Sequence, residues 1–315
     1  KKAALASYLQ SEEAAKWLKT RLIASTATAY YHLTMLQEQL GIARRNLALQ
    51  DSTLRIMRLQ HDAGQVSLLA VQQAEVQKET TAALIPELEQ ALMTQENALS
   101  ILMAEAPQAI PLKGELAGFS VPAEFSAGVP AALLSNRPDV RASEHALQAA
   151  NAEAGIRQAN RYPSLSITAS GGVNAFKASN WFTTPASLFG TVAGNPVQPI
   201  FNGRRLKTEY EVAKIQRENA VIRFRSDVLQ AAGEVSDALV QLNKLEEQID
   251  RAQSRKNILE KAIPNARLLF NSGMATYLEV ITAQQNALQN ELSLTGLKRR
   301  QVNAYILLYR SLGGA

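Results

Sequence analysis

The chain has 315 residues, of which 46% are hydrophobic and 19% are charged, with a formal net charge of +5 and no cysteine. This composition excludes wholesale disorder, and it excludes disulfide bonds and thiolate chemistry within these residues. Basic and acidic residues alternate without a long basic block, which favours solvated helix faces over phosphate binding, so no nucleic-acid partner is expected.

The first predicted element is a long helical hairpin. Apolar residues recur along it every seven positions, at Leu33, Leu40, Leu47 and Leu54. This repeat is typical of coiled-coil packing, although Thr26 and Gln50 weaken it. We expect a helix from about residue 3 to His61, a turn at Gly64, and a returning helix from about Ser67 to Met103. Residues 1–104 are assigned to this hairpin.

A segment rich in proline and glycine, Ala104 to Pro130, then interrupts the helical pattern. We expect a folded connector, assigned to residues 105–135. A helix is predicted to follow within residues 136–163, because Pro138 suits a first helical turn and Pro163 disfavours helix at the residue before it. That helix should end near Tyr162.

The next segment, SLSITASGGV, carries the strongest strand signal. Leu165, Ile167 and Ala169 alternate with hydroxyl-bearing residues, so one face is apolar and the other is polar but uncharged. A half-buried soluble strand would show the same alternation, but the uncharged face, the length and the nearby aromatic residues favour a transmembrane strand. A second strand is expected between Ser187 and Phe201, and residues 164–202 are assigned to the strand pair and its loop.

A second long hairpin is predicted over residues 203–315, with a helix from about Arg204 to Phe270, a turn at Gly273 and a helix from about Thr276 to Leu312. Ser67 and Thr276 are placed to cap the N-termini of the two returning helices. It repeats the first hairpin at a constant offset of 209 residues (273 − 64). Identical residues at this offset include Arg58 and Arg267, Leu59 and Leu268, Leu69 and Leu278, and Val71 and Val280. An ungapped repeat of this length indicates an internal duplication of one large unit.

Three motifs stand out after residue 135: NRPDVRASEHALQAANAEAGIRQANRYPSLSI leading into the strand, PIFNGRRL after the strand pair, and LYRSLGG near the end. With the order of elements, they resemble the TolC-like outer-membrane efflux channel family, specifically the factors that work with resistance-nodulation-division pumps. The resemblance covers nearly the whole chain.

The resemblance implies a mainly α-helical fold, with long antiparallel coiled-coil hairpins forming a tunnel and a short β-hairpin contributing to a transmembrane β-barrel. It implies a homotrimer with twelve barrel strands, located in the outer membrane with a periplasmic helical extension. The implied function is a passive exit duct for drugs or small solutes, in multidrug resistance. The implied partners are a periplasmic adaptor (membrane fusion) protein, an inner-membrane resistance-nodulation-division pump and outer-membrane lipid.

The resemblance also implies two kinds of site. Glu279 falls on the first acidic position of a periplasmic gate, and Thr282 stands where a second acid is usual. Three copies of Glu279 would form a negative ring that favours cations; the alternative is a glutamate that only complements the helix dipole. The implied adaptor contacts are the two turns: Gly64, Gln65, Val66 and Ser67, and Gly273, Met274, Ala275 and Thr276.

No enzyme chemistry is expected, because His32, His61 and His145 are scattered without metal-ligand spacing and no phosphate-binding loop is present. We therefore expect no catalytic residue, cofactor or metal. The alternative to a channel is a soluble coiled-coil scaffold or a periplasmic adaptor protein. Since the repeat predicts another strand pair before Lys1, the sequence is expected to be a fragment of a longer, lipid-anchored chain.

Overall fold

The computed structural model of the chain describes residues 1–112 and 136–314. These residues are mostly helical, as predicted. Their elements, in chain order, are α1 (Lys2–Asp62), α2 (Leu68–Leu102), α3 (Pro138–Ala159), β1 (Ser164–Val173), β2 (Leu188–Val197), α4 (Arg205–Asn271) and α5 (Tyr277–Ser311). Most of the expected connector, residues 113–135, lies outside the described residues.

The four hairpin helices begin and end within two residues of their predicted bounds. Helices α1 and α4 have 61 and 67 residues, whereas the returning helices α2 and α5 have 35 residues each. Such lengths follow from the sustained seven-residue repeat, because every turn of helix gains an apolar contact along the seam. Within residues 1–112 and 136–314, none of the helices is both long enough and apolar enough to cross a membrane.

Helix α3 is shorter than predicted. It ends at Ala159 rather than near Tyr162. The amide of Arg161 donates to the carbonyl of Gln158 at 3.1 Å, and the amide of Tyr162 donates to the carbonyl of Ala159 at 3.0 Å. These bonds span three residues, so the chain tightens out of the α-helix before it reaches Pro163.

Strands β1 and β2 form an antiparallel pair over ten residues each, which confirms the expected second strand. Residues directly opposite each other share a face. The register places Leu165 opposite Pro196, Ile167 opposite Gly194 and Ala169 opposite Val192. One face of the pair is therefore wholly apolar or glycine, although the alternation of β2 looked poor in the sequence.

The chain separates into two compact units. One comprises Lys1–Ala14 and Pro138–Val228, and it holds α3 and the strand pair. The other comprises Ala15–Arg137 and Leu229–Ala315, and it holds both helical turns, Gly64 and Gly273. The buried apolar clusters at and behind these turns lie within the second unit.

Candidate functional site at the hairpin turns

The two hairpin turns have the same backbone conformation. Gly64 and Gly273 have φ values of 72° and 73°, a left-handed region that favours glycine. The amide of Gln65 donates to the carbonyl of Gln60 at 2.8 Å, and the amide of Met274 donates to that of Leu269 at 2.9 Å. Both helices therefore end in a bond to the carbonyl five residues earlier, as in a Schellman motif.

The helices that follow the turns begin with different caps. Ser67 has extended backbone, and its hydroxyl accepts a bond from the amide of Ala70 at 3.3 Å, as predicted for an N-cap. Thr276 also has extended backbone, but its side chain makes no bond to a backbone amide. Its hydroxyl instead donates to Oε2 of Glu279 at 2.6 Å. Thr276 is therefore the N-cap residue of α5, as expected, but its hydroxyl bonds to the Glu279 carboxylate and does not cap a backbone amide.

Glu279 is exposed in the first turn of α5 and is held as a carboxylate. The hydrogen bond from Thr276 is the main cause that lowers its pKa, and bonds from the backbone amides of Glu279 and Thr276 add to it. Thr282 is also exposed, but its hydroxyl donates to the carbonyl of Leu278 at 2.8 Å. Glu279 thus presents a fixed negative charge to solvent, while Thr282 is bonded to its own helix.

An apolar cluster lies directly behind the two turns. Its buried members are Leu54, Met57, Val71, Ala74, Tyr277, Val280 and Ile281. Tyr277 is 4% exposed, its ring lies 5.4 Å from that of Phe270, and its hydroxyl has no partner among the described residues. Burial raises the pKa of Tyr277 to about 12. Sequence reasoning missed this residue; the signal was an aromatic ring at the repeat position where the first hairpin has Leu68.

Most residues expected to contact an adaptor are exposed at the turns. Gly64, Gln65, Ser67, Gly273, Met274 and Thr276 are exposed, whereas Val66 and Ala275 are half-buried. Met274 is 72% exposed, a high value for a large apolar side chain. Val66 packs against the apolar cluster behind the turns. The turns therefore present a mixed polar and apolar surface.

The strand pair has two chemically distinct faces. Leu165 and Ile167 are 67% and 70% exposed, and Val192 on β2 is 78% exposed. On the other face, hydroxyl groups bond across the strands: Ser166 Oγ donates to the carbonyl of Asn195 at 3.3 Å, and the Ser170 and Thr191 hydroxyls are 2.6 Å apart. The described strands carry no charged side chain on either face.

Two long helical hairpins with matching turns, and a strand pair with one exposed apolar face, are the features of a class of channel proteins built mainly from long helices. The profile of the family described as "Outer membrane efflux protein" matches residues 1–105 and 129–314. The chain belongs to the outer membrane efflux protein family.

Individual proteins show the same similarity. The chain is 30% identical over 313 residues to the cation efflux system protein CusC of Escherichia coli, covering 98% of this chain and 67% of the relative. It is 30% identical over 317 residues to the solvent efflux pump outer membrane protein SrpC of Pseudomonas putida, covering 99% and 66%. The crystal structure of CusC matches with a TM-score of 0.88 at 29% identity, covering 100% of this chain and 73% of that one.

Family membership confirms the main expectations from the sequence. The protein is an outer-membrane efflux duct with a periplasmic helical extension. It is not an enzyme, since the family consists of channels. The alternative of a soluble scaffold or adaptor is set aside. The chain spans about two thirds of the length of the curated relatives it matches.

Proposed function

We propose that this chain forms the periplasmic tunnel and part of the membrane pore of a passive exit duct for drugs and other small solutes. The observation that carries the proposal is the strand pair: one face is apolar or glycine and exposed, and the other is uncharged and carries the hydroxyl groups of β1 and Thr191. In a membrane barrel, the apolar face contacts lipid and the polar face lines water. Leu165, Ile167 and Ala169 are the lipid-facing residues of β1 in this proposal.

The duct is a homotrimer in this proposal. A strand pair alone leaves two unpaired edges, which lipid cannot satisfy, so the pair must join other strands in a closed barrel. The internal duplication supports four strands in each protomer and twelve in the barrel. The equal turns at Gly64 and Gly273 and the equal lengths of α2 and α5 are consistent with two copies of one unit.

The chain is divided accordingly. Residues 1–104 and 203–315 form the two tunnel hairpins, and residues 164–202 form the membrane strands with their outer loop. Residues 136–163 form the helix that leads into β1, whereas most of the equatorial connector expected over residues 105–135 lies outside the described residues. The outer loop carries Phe176 and Phe182, which are fully and largely exposed, as in the aromatic belt of a membrane protein.

Glu279 forms the gate in this proposal, with Thr282 one turn further along α5. The carboxylate is charged at neutral pH, and the hydrogen bonds that lower its pKa favour this form further. Three such charges around a threefold axis would attract cations and repel anions at the tunnel entrance. The neutral Thr282 adds no second ring, so the barrier to anions rests on one charge in each protomer.

The exposed turns are the docking surface for a periplasmic adaptor protein, which couples the duct to an inner-membrane resistance-nodulation-division pump. Both turns expose a glycine without a side chain, which permits close approach of a partner helix at that point. Relatives are named for cation efflux and for solvent efflux. Charged and uncharged solutes are therefore both candidate cargo, and the pump makes the choice.

Single-channel conductance in a planar lipid bilayer tests the duct and its gate. The full-length protein should show discrete, cation-selective openings. Glu279→Gln removes the charge and keeps an oxygen to accept the Thr276 bond, so openings should persist with selectivity reduced. Glu246→Ala, an exposed glutamate on α4, is the control and should keep full selectivity. A silent bilayer would reject the duct, and unchanged selectivity in Glu279→Gln would reject the gate.

The adaptor surface needs a different test. A bulky residue at Gly273 would strain the left-handed turn itself, so Met274→Arg is the cleaner variant. We expect it to lose pump-dependent drug resistance while conductance in bilayers stays normal. Asn243→Arg, at an exposed position on α4, is the control. Full resistance in Met274→Arg would contradict the docking proposal.

A further inference from the structure

A layer of buried amide side chains crosses the apolar seam behind the turns. The glutamine layer consists of Gln50 on α1, Gln77 on α2, and Gln284 and Gln285 on α5; the buried Thr81 lies one turn beyond Gln77 on α2 and does not belong to it. Gln50, Gln77, Thr81 and Gln284 are between 0% and 3% exposed, whereas Gln285 lies at the solvent edge. In the sequence, Gln50 was one of the two weak positions of the seven-residue repeat, and the repeat places Leu259 at its counterpart.

The amides join α5 to the first hairpin. Nε2 of Gln50 donates to Oε1 of Gln284 at 3.4 Å, and Nε2 of Gln285 donates to Oε1 of Gln77 at short range. Oε1 of Gln50 and Nε2 of Gln284 have no further partner among the described residues. The layer is therefore weak as a source of stability, because buried polar groups are left partly unsatisfied.

Apolar side chains flank the layer on both sides. On the side nearer the turn, Leu54 of α1 and Ile281 of α5 are buried. On the side away from the turn, Ala43 of α1 and Leu288 of α5 are buried. If α5 slid along α1, the amide of Gln284 would enter an apolar layer and lose its partner. A single polar layer in an apolar seam thus selects one register at a cost in stability.

A second polar contact between these helices does not select a register. Nε2 of Gln39 on α1 donates to the backbone carbonyl of Leu292 on α5 at 3.0 Å. Each turn of α5 presents an equivalent carbonyl, so Gln39 would find another acceptor after a slip. The side-chain pairs of the glutamine layer have no such substitute.

We propose that the glutamine layer fixes the axial register of α5 against α1 and α2, and so positions Glu279 at the tunnel entrance. Glu279 precedes Gln284 by five residues on the same helix, or about 7.5 Å of rise. If α5 shifted along its axis relative to α1 and α2, the Glu279 carboxylate would move by the distance of that shift. The positioning role rests on the proposed gate; the register role does not.

The test is a double-mutant cycle in the full-length channel with Gln50→Leu, Gln284→Leu and both. Each single variant leaves one buried amide unpaired, so it should melt at a lower temperature than wild type. The double variant removes both amides and should recover or exceed the wild-type melting temperature. A role in packing alone would predict that the two losses add.

Register is measured by pulsed electron paramagnetic resonance in spin-diluted samples. Labels go on Leu59→Cys and Leu278→Cys, both exposed, in a chain without native cysteine. The double Leu variant should broaden the distance distribution or shift it by about one helical turn, 5.4 Å. Its cation selectivity should also fall. Thr81→Val is the control, because the Thr81 hydroxyl bonds only to its own helix, at the carbonyl of Gln77.

Each outcome decides the proposal. A stable double variant with the wild-type distance overturns it. Should that variant not fold, Gln284→Leu combined with Gln285→Ala removes both side-chain bonds from α5 to the first hairpin, and an unbroadened distance distribution there also overturns the proposal. A shifted register with unchanged selectivity, together with unchanged selectivity in Glu279→Gln, would reject the gate and leave the register role standing.

Discussion

The two helical hairpins share a backbone design but are held together differently. Three ion pairs join α1 to α2, with N–O distances of 2.7 to 2.9 Å: Arg44 with Glu89, Asp51 with Lys78, and Arg58 with Glu75. At the equivalent positions, the second hairpin has Gln253 with Lys298, Glu260 with Ala287, and Arg267 with Gln284. Every pair has lost at least one of its opposite charges.

The second hairpin uses apolar packing instead. Among the described residues, its cross-helix ion pair is Arg310 with Glu234 at 3.9 Å, far from the turn. Near the turn, Tyr277 is buried in the cluster shared with α1 and α2, whereas the equivalent Leu68 is 56% exposed. Both hairpins contribute to the apolar cluster behind the turns, but the first adds exposed ion pairs between its helices, whereas the second adds the buried ring of Tyr277. A duplicated backbone does not imply duplicated energetics.

Of the changes considered, replacement of the buried Tyr277 should reduce stability the most. Tyr277→Ala removes a fully packed ring and should destabilise the unit by about 3 kcal/mol, in the range for buried aromatic residues. Leu68→Ala, at the equivalent exposed position, should change stability by less than about 0.5 kcal/mol. Thermal unfolding followed by circular dichroism compares the two variants. Equal losses at the two positions would mean that the hairpins are energetically alike.

A smaller effect is expected when an ion pair is transplanted. Ala287→Lys recreates, opposite Glu260, the charge that Lys78 places opposite Asp51. The melting temperature should rise slightly at low salt, and high salt should abolish the gain because the groups are exposed. Ala287→Gln is the control of similar length. Glu260 also approaches Lys256 at 3.8 Å, which limits the gain. A gain that survives high salt would point to packing rather than charge.

The sequence predicted the backbone of the hairpins well because local chemistry determines it. Gly64 and Gly273 supply left-handed residues that few other side chains adopt, and the seven-residue repeat sets the helix bounds. The alternation in β1 likewise located the strand. These signals are properties of short stretches, so they can be seen without tertiary structure.

Side-chain roles at the turns could not be predicted in the same way. Tyr277 and Leu68 occupy equivalent repeat positions, and only the packing of four helices decides which one is buried. Gln50 looked like a defect in the repeat, because its partner Gln284 is 234 residues away. The poor alternation of β2 became interpretable only when its register with β1 was known. The roles of Glu279 and Thr282 as a gate stay a prediction.

The smallest expected effect distinguishes the caps of the two turns. Thr276→Val removes the hydroxyl that chiefly lowers the pKa of Glu279, so that pKa should rise towards its ordinary value of 4.5. A carboxylate whose pKa is lowered in the folded state stabilises the fold at pH values above its ordinary pKa. This contribution is lost as the pH falls through the folded-state pKa. Wild type and Thr276→Val should therefore differ near neutral pH and converge in acid.

Ser67→Ala provides the contrast within the same molecule. It removes the cap of α2, where the residue three positions on is Ala70 and no carboxylate takes part. Its loss of stability should not change across the pH range in which Glu279 titrates. Carboxyl NMR titration of Glu279, with melting temperatures over the same pH range, measures both effects. A pH-independent loss in Thr276→Val would mean that both turns are capped by hydroxyl groups alone, and the chemical difference between them would be confined to the gate charge.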